Sequence, residues 1–222
     1  MKKLMIYSLV SAIALAGCQT TNPYTGEQQT SKATWGAGIG ALTGAAIGAL
    51  TNTNSGKQAA RNAMIGAGIG ALAGGGIGAY MDQQDAELRQ QLQSTGVSVT
   101  RGPGGEIILN MPSDITFDLD RADVQAGFYP VLNSVAKVLK HYDKTIVSVD
   151  GYTDTSGSTE HNKVLSQQRA ESVASYLQGQ GVQPQRFSVN GWGETNLKVP
   201  TADGVKNAAN RRVTITLTPL TA

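Results

Sequence analysis

Cysteine is all but missing from this 222-residue chain. Cys18 is the only one, so no internal disulfide can form and Cys-rich zinc sites are excluded. Histidine is limited to His141 and His161. Aromatic residues make up only 5% of the chain against 27 glycines, so the apolar content is not spread as in a single core. Charge of one sign is lacking as well: 18 basic residues face 16 acidic ones. Lys2 and Lys3 fall in a leader expected to be removed, which leaves the mature chain about neutral and gives no reason for a nucleic-acid partner. No H-E-x-x-H, G-x-S-x-G or phosphate-loop pattern occurs. These absences point away from an enzyme and toward a binding or structural protein, with no cofactor implied.

The first residues organise themselves by composition. Residues 1–17 read as a signal peptide: Lys2 and Lys3 give the charged start, and Leu4 to Leu15 is an apolar run too short for a stop-transfer helix. The run ends Leu15-Ala16-Gly17-Cys18. That ending resembles the bacterial lipobox, in which cleavage falls before Cys and the thiol takes a lipid. The resemblance makes Cys18 the anchor, and Gln19 rather than Asp behind it implies the outer membrane. Residues 18–34 are a polar tether with Pro23 and Gly26 as turn formers.

Residues 35–80 hold an internal repeat. Trp35 to Leu50 recurs as Ile65 to Tyr80, with Gly36, Gly40, Gly44 and Gly48 matched by Gly66, Gly70, Gly74 and Gly78. Glycines four apart share a helix face and let two backbones approach closely. Each glycine would cost about 1 kcal/mol relative to alanine in a water-exposed helix, so tight packing or a membrane must offset them. The repeat resembles the glycine-zipper regions of some outer-membrane lipoproteins and is expected to form a helical hairpin. Two further readings stay open: a homo-oligomer acting as a pore or envelope assembly factor, and a flexible spacer. Residues 81–96 are expected to form a spacer helix, with Leu88 and Leu92 as a small docking face.

Residues 97–222 read as one α+β domain. Val97 to Val99 and Ile107 to Met111 are strands around a turn at Gly102 to Gly105. Val124, Phe128, Val131, Leu132, Val135, Val138, Leu139 and Tyr142 recur at helical spacing, and Pro130 suits a start near Phe128. Strands are expected at Thr145 to Asp150, Arg186 to Asn190 and Arg212 to Thr218, and a helix at Asn162 to Gln178. The helices should cover one face of a mixed sheet.

One stretch of this domain carries the chemistry. Asp154 follows a strand end in a loop rich in Gly, Ser and Thr, and Arg169 lies on the next helix. Taken alone, Asp154 is a turn former and Arg169 a solvated helix residue. If they converge, the acid suits an ammonium and the guanidinium a carboxylate held at two points. A ligand with both groups on one carbon, an amino-acid head, satisfies both.

The pattern resembles the OmpA-like peptidoglycan-binding domain. The resemblance rests on Thr116-Phe117-Asp118, Gly151-Tyr152-Thr153-Asp154 and Gly157. The helix motif N-x-x-L-S-x-x-R-A-x-x-V-x-x-x-L runs from Asn162 to Leu177, and Gly191 to Glu194 and Asn210 to Val213 close the set. It covers roughly residues 97 to 220. The family usually has His where Tyr152 stands and Tyr where His161 stands. The resemblance implies that the chain binds the diaminopimelate residue of the peptidoglycan stem peptide. Asp154 would receive its ammonium and Arg169 its carboxylate. Asn162 would add amide hydrogen bonds, and Thr153, Phe117 and Asp118 would line the pocket. Arg211 would contact the ligand or brace the acidic loop, as would Arg212. The whole then reads as a lipid-anchored outer-membrane protein with its C-terminal domain in the periplasm.

Overall fold

The computed structural model describes residues 19–21, 28–30, 72 and 76–221. The leader, Cys18, most of the tether and most of the glycine repeat lie outside the described residues. Strand β1 (Gln19–Thr21) pairs antiparallel with β2 (Gln28–Thr30). Among the described residues no helix is long and apolar enough to cross a membrane.

Helix α1 (Ile77–Leu92) begins inside the second glycine repeat. Its buried residues, Ile77, Met81, Gln84, Leu88 and Leu92, fall three and four apart. They form one stripe that joins the same core as the sheet. Of residues 81–96, expected as a spacer helix, 81–92 are helical and docked on the domain. The local pattern showed only Leu88 and Leu92; the stripe reaches back into the repeat through Met81 and Ile77. Burying each of the two leucines contributes about 1.5–3 kcal/mol.

Polar contacts fix the angle at which α1 docks. Arg101 donates from Nη2 to Asp82 Oδ1 and to the Met81 carbonyl, both at 2.8 Å, and from Nε to Asp85 Oδ2 at 3.0 Å. Tyr80 Oη accepts from the Lys144 amide at 2.8 Å, and its ring meets Tyr142 edge-on at 5.3 Å. Burial raises the Tyr80 pKa to about 12, so it stays a neutral phenol.

Strand β3 (Ser98–Arg101) and strand β4 (Ile107–Pro112) form a hairpin. Helix α2 (Ser113–Thr116) follows directly, and a 3-10 turn (Ala126–Phe128) leads into helix α3 (Tyr129–His141). Pro130 lies in the first turn of α3, where its missing N–H has no partner to lose. Val124 departs from the helical pattern expected of it. It bridges antiparallel to Phe117, closing the loop that carries Asp118 and Asp120.

Strand β5 (Thr145–Tyr152), helix α4 (Thr159–Gly179), strand β6 (Phe187–Gly191) and strand β7 (Arg212–Pro219) complete the domain. Helix α4 starts three residues before the expected Asn162, because Ser158 caps it by accepting from the His161 amide. The strand order is β3-β4-β7-β5-β6, with β5 and β6 parallel and the other pairs antiparallel.

Ile107, Leu109 and Met111 of β4, Val147 and Val149 of β5 and Val213, Ile215 and Leu217 of β7 are all buried. Register aligns them on one face, against which the helices pack. Thr214, Thr216 and Thr218 on the other face are only half-buried.

Two features lock the helix layer. Arg186 is fully buried and donates to the carbonyls of Leu139, Tyr142 and Thr145 and to Thr145 Oγ1. It thereby satisfies carbonyls at the end of α3 that the helix leaves free. Burial pulls its pKa down to about 10. The paired glycines Gly151 and Gly191 admit α4 closely: a Cβ at Gly151 would collide with the Ser166 carbonyl, and one at Gly191 with the Gln167 amide.

Candidate functional site

The sheet register generates the floor of a cleft. Met111, Val213 and Gly151 stand side by side across β4, β7 and β5, and Pro112, Arg212 and Tyr152 form the next row. Side chains alternate between faces. The row beyond the sheet, Ser113, Arg211 and Thr153, therefore returns to the helix face. The Ser113 amide donates to the Arg211 carbonyl at 3.1 Å and extends the ladder by one step.

On one side the wall is α2 and the following loop, with Asp114, Phe117, Asp118, Leu119, Asp120 and Gln125. On the other side it is the first half of α4, with His161, Asn162, Leu165 and Arg169, and the loop Asp154 to Gly157. The cleft encloses about 610 Å³, within the range of small-molecule sites.

Asp154 is 2% exposed. Its Oδ1 accepts from the amide and hydroxyl of Ser156, and its Oδ2 from Arg211 Nη1 at 2.7 Å and the Asn207 amide at 3.0 Å. Burial pushes its pKa up, but the hydrogen bonds from Ser156, Arg211 and Asn207 outweigh that and hold it below the usual carboxylate value. Arg211 is shared: it also holds Asp114 through Nε and Nη2 at 2.9–3.2 Å. Arg211 thus braces the acidic loop from within the cleft.

Arg169 is 3% exposed and lies with its guanidinium carbon 5.2 Å from the centre of the Phe117 ring. Its Nε donates to the Arg121 carbonyl at 2.9 Å. Among the described residues its two terminal nitrogens have no hydrogen-bond partner. Burial lowers its pKa, opposed by the charges of Asp120, Asp114 and Asp154, and as a guanidinium it stays a cation. Asp154 and Arg169 thus line one cleft.

The other expected residues divide. Thr153, Phe117 and Asp118 line the cleft, and Asp118 accepts from Gln125 Nε2 at 3.1 Å. Asn162 also lines it, but its amide nitrogen is engaged by Glu194 Oε2 at 2.7 Å and the Asp154 carbonyl at 3.2 Å, so it positions the loop. Arg212 lies elsewhere: it stacks on Tyr152 at 3.8 Å and donates to the carbonyls of Asn210 and Asn196. His161 reaches Asp120 at 2.8 Å across the rim of the cleft.

Sequence reasoning missed Ser113, Asp114, Ser156 and Asn207. Ser156 had a local signal, since an Asp bonding the amide two residues on is a common turn. Asn207 had none, and Asn210 stood out only as the start of the motif Asn210 to Val213. Asn210 is fully buried and clamps Val199 through both its amide groups at 2.8 Å, which shapes the loop that brings Asn207 to Asp154.

Residues 116–211, the stretch that builds this cleft, match the OmpA family. The chain belongs to the OmpA family. Residues 1–82 match a second family, the YMGG-like Gly-zipper. Over 217 residues the OmpA-family chain is 50% identical to the probable lipoprotein YiaD of Escherichia coli (strain K12), covering 97% of both proteins. It is 38% identical over 124 residues to the peptidoglycan-binding protein ArfA of Mycobacterium tuberculosis, covering 56% of this chain and 35% of that protein.

Among solved structures, a putative MotB-like protein from Desulfovibrio vulgaris shares the fold at a TM-score of 0.56 and 24% identity, covering 63% of this chain and 94% of that one. The cell wall anchor of the T6SS from Pseudomonas aeruginosa matches at a TM-score of 0.53 and 27% identity, covering 61% and 96%. The OmpA-family fold, with helices on one face of a mixed sheet, is thus as expected.

Proposed function

We propose that this OmpA-family protein binds peptidoglycan without turnover, through the diaminopimelate residue of the stem peptide. We further propose that a lipid on Cys18 fixes its other end in the outer membrane, with the OmpA-family domain in the periplasm. One observation carries the reading: Asp154 and Arg169, of opposite charge and each almost fully buried, line the same cleft. A charged pocket that is not self-neutralised suits a zwitterionic head, with an anion for Arg169 and an ammonium for the acidic side. Four carboxylates, Asp114, Asp118, Asp120 and Asp154, line the cleft against the two guanidinium groups of Arg169 and Arg211, so a ligand cation is favoured beside the anion. The names of ArfA and of the cell wall anchor support the ligand class.

Sedimentation with purified sacculi tests the binding. The protein should pellet with sacculi that contain diaminopimelate and be released by free diaminopimelate. Pelleting that diaminopimelate does not reduce would place the ligand elsewhere. The anchor has its own test. Intact mass of the mature protein should show Cys18 as the first residue, carrying lipid, and Cys18→Ser should lose that mass. An unmodified Cys18 would refute the anchor and leave the cleft untouched.

A further inference from the structure

We propose that helix α1 is a releasable strap. Under tension between its N-terminal end and the cleft, it peels from the domain before the sheet yields, and the cleft stays whole. The release is a property of the fold alone. Its use, as slack in a protein held at both ends, rests on the reading that membrane and wall hold those ends.

The two points of load lie at opposite ends of the sheet. The Leu72 amide donates to the Leu220 carbonyl at 2.8 Å, the Leu220 amide to the Lys144 carbonyl at 3.0 Å, and the Lys144 amide to Tyr80 Oη at 2.8 Å. These bonds sit where β5 begins and β7 ends. The cleft lies past the other end of the same strands, beyond Tyr152 and Arg212, roughly 25 Å away. No residue of α1 lines it.

The hold on α1 differs in kind from the hold within the sheet. Helix α1 packs on α3 and β3, yet among the described residues it shares no backbone–backbone hydrogen bond with another element. Its apolar stripe, Tyr80 and Arg101 hold it. A pull on its first turn meets those contacts one after another. Strand β7 has ladders on both sides, so a pull along it loads many bonds at once.

The stripe also carries a flaw. Gln84 is fully buried in its middle, and neither its Nε2 nor its Oε1 has a hydrogen-bond partner. Docking strips this amide of water and returns no bond, which weakens the docked state; lifting α1 restores the water. The turn behind the helix can swing without disturbing the sheet. Thr95 donates from its amide and its Oγ1 to the Leu92 carbonyl, and its Oγ1 accepts from the Val97 amide, so these bonds are local. Ser94 is held there at a φ of 63°, a left-handed conformation unfavourable for a residue with a Cβ. Units held in this way open ahead of the global transition.

Pulling single molecules between residues 76 and 203 tests the strap. Gly76→Cys and Asp203→Cys supply the handles in the full-length chain, with Cys18→Ser to keep them unique. A Cβ at Gly76 meets nothing within 4 Å. Asp203 is exposed, and the Gly204 amide after it bonds the Thr155 carbonyl next to Asp154. The parent should show a first, reversible step of roughly 40–50 Å, the gain as residues 77–96 pass from a docked helix and turn to an extended chain. One larger step should follow at higher force. Gln84→Leu should shift the first step toward the docked form by about tenfold or more and leave the second unchanged, because only the docked state holds the buried amide. Gln84→Met serves in its place if leucine disturbs the packing. Asp85→Asn should shift the first step the other way, since Arg101 loses a charged partner. A single rupture with no earlier step overturns the proposal. So does a Gln84 variant that makes the first step easier or moves only the second. No ligand takes part, so either failure leaves the peptidoglycan reading standing.

Discussion

Arg169→Ala should reduce binding to purified sacculi by more than about a hundredfold, below detection in a sedimentation assay. A charge-assisted hydrogen bond contributes roughly 1.5–3 kcal/mol, and a micromolar complex holds only about 8 kcal/mol in all. Removing Arg169 takes away the cation whose terminal nitrogens have no hydrogen-bond partner among the described residues. It also leaves the acids of the cleft less opposed. Arg169→Lys should be nearly as weak: the charge survives, but the planar fork and the Nε bond to the Arg121 carbonyl are lost.

Asp154→Asn should fail as well, for a broader reason. Both Asp154 oxygens accept, so an amide nitrogen in place of either would face a donor: Ser156 on one side, Arg211 and Asn207 on the other. The variant loses a charge and loosens the loop together. Circular dichroism melts must accompany the binding assay, and folded variants that bind as well as the parent would show that the site is misplaced. The pH dependence follows from the same contacts. The Asp154 pKa is depressed in the folded protein, so its contribution to stability is complete above the ordinary carboxylate value and fades only as pH falls through the folded one.

Gly151→Ala should lower Tm on the order of 10 °C. The added methyl would strike the Ser166 carbonyl, which is helix backbone and cannot swing aside like a side-chain tip. Relief requires α4 to lift from β5. Overpacking that shifts side chains and backbone costs about 1–3 kcal/mol and sometimes more, and for a domain of this size each kcal/mol shifts Tm by roughly 2–4 °C. Gly179→Ala is the contrasting control. Nothing lies near a Cβ there, the residue ends α4, and alanine favours a helix by up to about 1 kcal/mol. Equal melting of Gly151→Ala and the parent would mean that α4 does not sit where described.

Most of the domain was legible because its signals are local and periodic. The alternation in β7 and the helical spacing from Phe128 to Leu139 each depend on neighbours in sequence, and Pro130 marked the start of α3. Arg186 was read as an ordinary strand residue, because nothing nearby shows that carbonyls of Leu139, Tyr142 and Thr145 converge on it. The cleft divides in the same way. Asp154, Arg169 and Arg211 stood out through motifs, whereas Asn207 meets Asp154 across more than fifty residues with no such mark. Ser113 gave no sign at all, since its place on the floor emerges only once three strands are in register.

The position of β7 bears on when this protein can become functional. Among the described residues it is the last strand of the five-stranded sheet in sequence, yet it lies between β4 and β5. Before β7 arrives, β3 with β4 and β5 with β6 are two separate two-stranded pieces, each marginal in water. Arg211, immediately before β7, is absent from the cleft until the same moment. Pairings as distant as Pro112 with Arg212 make folding slow. Growth of the chain from its N-terminal side therefore leaves the domain open until β7 itself has been synthesised. Binding competence then appears in one step, and a chain clipped ahead of Arg211 would have no partial activity to show.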